Sequence, residues 1–162
     1  MFDLVIINGN VNFGDMSKSS KCNIGITNEK ISYIGGEKIS GKEFIDATGY
    51  EVTPGFIDLH THSDLSFIVD PDADSKLVQG VTFELMGNCG MSFCAPLSKD
   101  NKYQLQERLN RYGIKKEMDW NNFDDWLTEI ENNTPSINVA AQIGHGNLRS
   151  YVMGMEARQA SP

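Results

Sequence analysis

The segment Pro54-Gly55-Phe56-Ile57-Asp58-Leu59-His60-Thr61-His62 constrains this chain more than any other. A Pro-Gly break opens an apolar run that leads directly into two of the three histidines. Such a run reads as a β-strand, and alternate side chains on a strand share a face. His60 and His62 therefore point the same way, and two imidazoles at a strand end make half of a metal site. Cys89, at the end of the next predicted strand, offers a thiolate, and imidazole with thiolate is a ligand set that suits zinc. The rest of the chain does not hold enough ligands to finish such a site, because His145 is the only histidine left.

Two grammars meet at Pro54. Before it, short alternating runs lie between turn signals: Leu4 to Ile7 closed by Asn8-Gly9, Asn23 to Thr27 closed by Asn28-Glu29, Ile31 to Ile34 closed by Gly35-Gly36, and Glu43 to Ile45. Asn-Gly and Gly-Gly tolerate positive φ, so these predict a small β-sheet unit, too thin to close a sandwich by itself. After Pro54, predicted strands at Phe56 to Leu59, Gly80 to Gly87 and Ile137 to Ile143 alternate with helical stretches at Asp72 to Gln79 and Lys99 to Tyr112. A further helix follows from Phe123, Trp126, Leu127 and Ile130, which fall at i, i+3, i+4 and i+7; Asn121 or Asn122 caps it and Asn132-Asn133-Thr134-Pro135 stops it. Alternating strands and helices predict parallel βα units.

Composition excludes several classes. With net charge −8 and 14 Lys and Arg, scattered apart from Lys115-Lys116, the chain offers no nucleic-acid surface. No apolar run approaches the ~18 residues of a membrane span, and the first residues lack the positive region of a signal peptide. Three cysteines form no disulfide framework, so the expectation is a cytoplasmic chain with reduced thiols.

Taken together, Asp3-Leu4-Val5-Ile6-Ile7-Asn8-Gly9-Asn10-Val11, Ile24 to Ile31, Ile45-Asp46-Ala47-Thr48-Gly49 and Pro54 to His62 resemble the opening of an amidohydrolase-superfamily enzyme. Gly80 to Ser92, with its Gly87-Asn88-Cys89-Gly90, and Asn138 to Arg149 are similar to the D-aminoacylase (N-acyl-D-amino-acid deacylase) group. The resemblance implies an α/β fold in which residues 1–53 form the N-terminal part of a small β-sandwich. Residues 54–162 would then be the first three βα units of a metal-dependent (β/α)8 TIM-type barrel, which as a whole needs ~250 residues. The chain is accordingly expected to be an N-terminal fragment, with Ser161-Pro162 opening another helix. As an isolated piece it would expose sheet edges and self-associate.

The resemblance also implies roles. His60, His62 and Cys89 are the expected metal ligands, with Cys89 in the bridging place that a carboxylated lysine fills in related enzymes, and with one or two zinc ions. The implied reaction is hydrolysis of the amide of an N-acyl-D-amino acid, in which zinc polarises the acyl carbonyl and lowers the pKa of water toward ~7. The general base and two further histidine ligands would lie beyond Pro162, so the fragment alone is expected to be inactive. His145 reads as a substrate-binding residue, as one acting through a ligand, or as a loop histidine with a structural hydrogen bond. Asp64 either orients a ligand histidine or is a solvated or capping carboxylate. Asp58 reads as a buried, hydrogen-bonded carboxylate and Arg149 as half of a surface ion pair. Cys94 reads as structural, and Cys22 carries no signal. Asp119, Asp124, Asp125, Glu129 and Glu131 read as a solvated helix face. Two other functions remain open: a dihydroorotase- or hydantoinase-like hydrolase of cyclic amides, and a non-catalytic β/α interaction module.

Overall fold

The structure, a computed structural model, describes residues 1–94 and 96–161; Pro162, read above as a helix position, lies outside the described residues. Two units are present, Met1–Pro54 and the chain from Gly55 onward. The fold is mixed α/β.

In the first unit β1 (Phe2–Val11) is central. It pairs antiparallel with β2 (Ser20–Thr27) and parallel with β4 (Gly41–Asp46) and β5 (Glu51–Val52), while β3 (Lys30–Gly35) extends the sheet from β2. Asn8-Gly9 is not the turn its sequence suggests. Asn8 takes φ 62° inside an unbroken ten-residue strand, and the register with β2 shifts between Ile6 and Gly9. This is a β-bulge, and the Asn8 amide secures it by donating to Asp46 Oδ1 at 3.0 Å. Gly9 is required there, because a Cβ would stand 2.6 Å from Val52 Cγ2. Asn28 and Glu29, both at positive φ, make the two-residue turn between β2 and β3. Val5, Val11 and Ile24 are buried, but Ile31, Phe44 and Ile45 are exposed.

The second unit has a sheet of three parallel strands, β6 (Phe56–Asp58), β7 (Val81–Met86) and β8 (Asn138–Ala141), in the order β6-β7-β8. Two short helices, α1 (Ser66–Val69) and α2 (Asp74–Leu77), separate β6 from β7; α3 (Lys99–Arg111) and α4 (Phe123–Asn132) separate β7 from β8; α5 (His145–Met153) follows β8. The helix expected over Asp72 to Gln79 shrinks to the single turn of α2, because Ala73 ahead of it is left-handed at φ 53°. Neither α1 nor α5 is signalled in the sequence, and the glycines flanking His145 conceal a helix start whose N-cap is Gly144.

An apolar core joins α1, α3, α4, β7 and β8. Leu105 and Leu109, one turn apart on α3, are fully buried with Trp126 of α4, Phe67 of α1 and Met86 of β7. Tyr103 on the same helix faces solvent. Helix α4 starts with a capping box: Asn122 accepts from the Asp125 N–H, and Asp125 accepts back from the Asn122 N–H. An Asn122→Ala variant is expected to cost about 1 kcal/mol, read as a lowered urea midpoint. Glu129 departs from the solvated face expected of its neighbours. It is buried and takes bonds from Lys116 Nζ and Asn133 Nδ2. Among the described residues no helix is long and apolar enough to cross a membrane.

Candidate metal centre

The chain leaves β6 at Asp58 but stays paired with β7, since the Thr61 N–H donates to the Leu85 carbonyl at 3.4 Å. His60 and His62 sit on this extension, at the C-terminal edge of the parallel sheet, where sites of such sheets lie. Their ring centroids are 5.6 Å apart. Cys89 arrives from the end of β7, and its Sγ lies 3.2 Å from His60 Nε2. One donor atom from each of His60, His62 and Cys89 falls within 4.8 Å of the others, and all three residues are exposed. Zinc bonds of ~2.0–2.3 Å place tetrahedral ligands about 3.5 Å apart, so small side-chain rotations suffice for these three to share an ion. The donor set, two imidazoles and a thiol, fits zinc.

Two aspartates depart from their sequence readings. Asp58 is only half-buried; it accepts the His60 N–H at 3.2 Å and pairs with Lys76 Nζ at 3.0 Å, and this Lys76 bond holds its carboxyl below the usual range. Asp64, expected either to orient a ligand or to be solvated, is 1% exposed within the turn Ser63–Leu65. Its Oδ1 accepts the Phe93 N–H at 3.3 Å, Oδ2 has no partner among the described residues, and burial pushes its carboxyl above the usual range. No hydrogen bond to a ligand histidine is among those described. Arg149 makes no surface ion pair among the described residues, donating to the carbonyls of Glu156 and Arg158 at 2.8 Å. His145 is the first residue of α5, exposed, at the same C-terminal edge of the sheet. Cys94 is buried and donates to Ser92 Oγ; Cys22 lies in β2 beside Ser20.

The residue that sequence reasoning missed is Glu84. It is fully buried in β7, with Oε1 2.6 Å from Lys76 Nζ and Oε2 accepting from Thr61 Oγ1 at 3.3 Å. Lys76 bridges Glu84 and Asp58. Burial alone would pull its ammonium pKa down, but the two carboxylates outweigh that and the net shift is upward. This ion triad grips Thr61 and the His60 backbone, two of the points that hold the His-Thr-His segment. A charged residue inside a mostly apolar strand was the available signal.

The His60, His62 and Cys89 cluster at the sheet edge is a donor set that could hold a metal ion. The chain belongs to the amidohydrolase family, whose profile matches residues 43–162. It is similar to the D-aminoacylase of Alcaligenes xylosoxydans xylosoxydans, at 32% identity over 94% of this chain and 31% of the relative. The N-acyl-D-glutamate deacylase of the same organism is 35% identical over 98% of this chain and 32% of its own length. A solved N-acyl-D-glutamate deacylase from Bordetella bronchiseptica, in complex with zinc and a phosphonate mimic of the tetrahedral intermediate, superposes with a TM-score of 0.77. That match has 32% identity and covers 94% of this chain and 31% of that one. The chain spans about a third of the length of the curated relatives it matches.

Proposed function

We propose that this sequence belongs to a zinc-dependent amidohydrolase that cleaves the amide bond of N-acyl-D-amino acids. In this reading residues 1–53 contribute to a small β-sandwich and residues 54–162 begin a (β/α)8 barrel. The observation that carries it is the meeting of His60, His62 and Cys89 at the C-terminal edge of a parallel sheet. The strand order β6-β7-β8, each parallel strand beside its successor, is the order in which such a barrel begins.

His60, His62 and Cys89 would hold the ion. When bound, zinc supplies Lewis acidity toward an acyl carbonyl. Asp58 and Glu84, through Lys76 and Thr61, orient the histidines. Exposed His145 is placed to meet substrate at the same edge, and Asp64 braces the turn after His62 by holding Phe93. This reading assigns no general base among these 162 residues. Exposed Ile57 of β6 and Leu59 just after it favour self-association of this stretch.

The test is hydrolysis by protein from the complete reading frame, stripped with chelator and reloaded with zinc. N-acetyl-D-amino acids are expected to be cleaved only after reloading, and faster than their L-enantiomers or a hydantoin. Preferential cleavage of the hydantoin would sink the deacylase reading in favour of a cyclic-amide hydrolase.

A further inference from the structure

Cys89 is held in a backbone conformation that side-chain-bearing residues rarely adopt, at φ 57° between Gly87 at 81° and Gly90 at 74°. Something must keep the loop in that shape. On the near side Asn88 Nδ2 donates to the carbonyls of Thr61 and Leu85, at 3.2 and 2.8 Å. On the far side the loop lies directly on the start of α5. The Gly146 N–H donates to the Gly90 carbonyl at 2.6 Å, and a Cβ on Gly144 or Gly146 would stand 2.5 or 2.6 Å from that same oxygen. This contact is locked by a buried amide. Asn147 Oδ1 accepts the Ser92 N–H at 3.0 Å, while Asn147 Nδ2 donates to the Ser92 carbonyl. Ser92 Oγ in turn accepts the Gly144 N–H at 2.9 Å. Both Asn147 and Ser92 are 3% exposed.

We propose that Asn147 is a positioning residue for Cys89: by clamping both backbone groups of Ser92 it fixes the left-handed loop that presents the thiolate beside His60 and His62. The inference rests on the reading of Cys89 as a metal ligand. A buried asparagine that only satisfied its own hydrogen bonds would affect stability. One that positions the thiolate also changes the metal's sulfur contact in protein that is still folded.

Cobalt(II) is the probe, loaded into metal-stripped protein from the complete reading frame. Two quantities are read below the melting temperature: the thiolate-to-cobalt charge-transfer band, and the dissociation constant from chelator competition. Asn147→Ala is expected to weaken the band and to raise the dissociation constant about 10–100-fold, as loss of a partner behind a ligand does. Asn147→Asp, which keeps the acceptor and loses the donor, is expected to fall between Asn147→Ala and wild type. Leu148→Ala, on the same helix but exposed, should change neither quantity. If Asn147→Ala does not fold, Asn147→Asp decides alone. A folded variant of Asn147 with lowered melting temperature but wild-type band and affinity would overturn the proposal. A wild-type protein that binds cobalt without a thiolate band would overturn the ligand reading of Cys89 instead, and this inference with it.

Discussion

Replacing Cys89 by serine in zinc-reloaded protein from the complete reading frame is expected to lower deacylase kcat by more than about a hundredfold, beyond the 10–100-fold typical of losing a partner behind a ligand. The serine hydroxyl keeps nearly the shape of cysteine but is a neutral, hard donor where zinc takes an anionic, polarisable thiolate. His60→Ala should act in the same direction, because its Nε2 is the atom that faces Cys89 Sγ at 3.2 Å. The check is zinc content per protein by elemental analysis alongside the kinetics. A Cys89→Ser enzyme with full zinc and undiminished kcat would exclude Cys89 from the centre. The left-handed backbone at Cys89 makes the serine variant a cleaner test than a bulkier one, since serine adds no volume to a conformation that is already restrictive.

The second large effect belongs to the ion triad around buried Glu84. Lys76→Met is expected to destabilise the fold by about 3 kcal/mol, the low end for breaking a buried pair, because Lys76 keeps 26% of its side-chain surface in water. The cost falls on Glu84, which is wholly removed from solvent and is left with one hydroxyl partner, Thr61. The double variant Lys76→Met with Glu84→Leu should recover most of that loss, since a matched apolar pair no longer strands a charge. Urea unfolding of the four proteins of the cycle measures the coupling. Equal losses in the single and double variants would show that Lys76 contributes through its methylene packing and not through its charge. Zinc affinity is expected to fall as well, because Thr61 lies between the two histidines and loses its orienting carboxylate in the double variant.

Local rules read much of this chain. The i, i+3, i+4, i+7 spacing from Phe123 to Ile130 and the Asn122 cap placed α4, because amphipathic periodicity and capping act within one turn. The same rules failed where a residue served two ends. Asn8-Gly9 carries turn chemistry yet sits in mid-strand, since pairing on both sides of β1 outweighs a local preference and turns it into a bulge. Gly144 and Gly146 read as loop residues yet open α5, because their missing side chains answer to the carbonyl of Gly90 and not to helix propensity. Glu84 lies inside a mostly apolar strand, and its partner Lys76 lay on a predicted helix with no indication that the two met.

By itself the sequence determined which residues share a face and where elements begin: strand alternation put His60 beside His62, and turn and cap residues marked most boundaries. Only the tertiary structure decided what meets across elements. That Cys89, 29 residues from His60, lies 3.2 Å from its ring follows from parallel pairing of β6 with β7. That Lys76 closes on Asp58 and Glu84, and that Asn147 clamps Ser92, follows from how helices pack against that sheet. Periodicity and capping are written in neighbours a few residues apart, whereas distances between strands are set by register and packing over the whole unit, which no local pattern encodes.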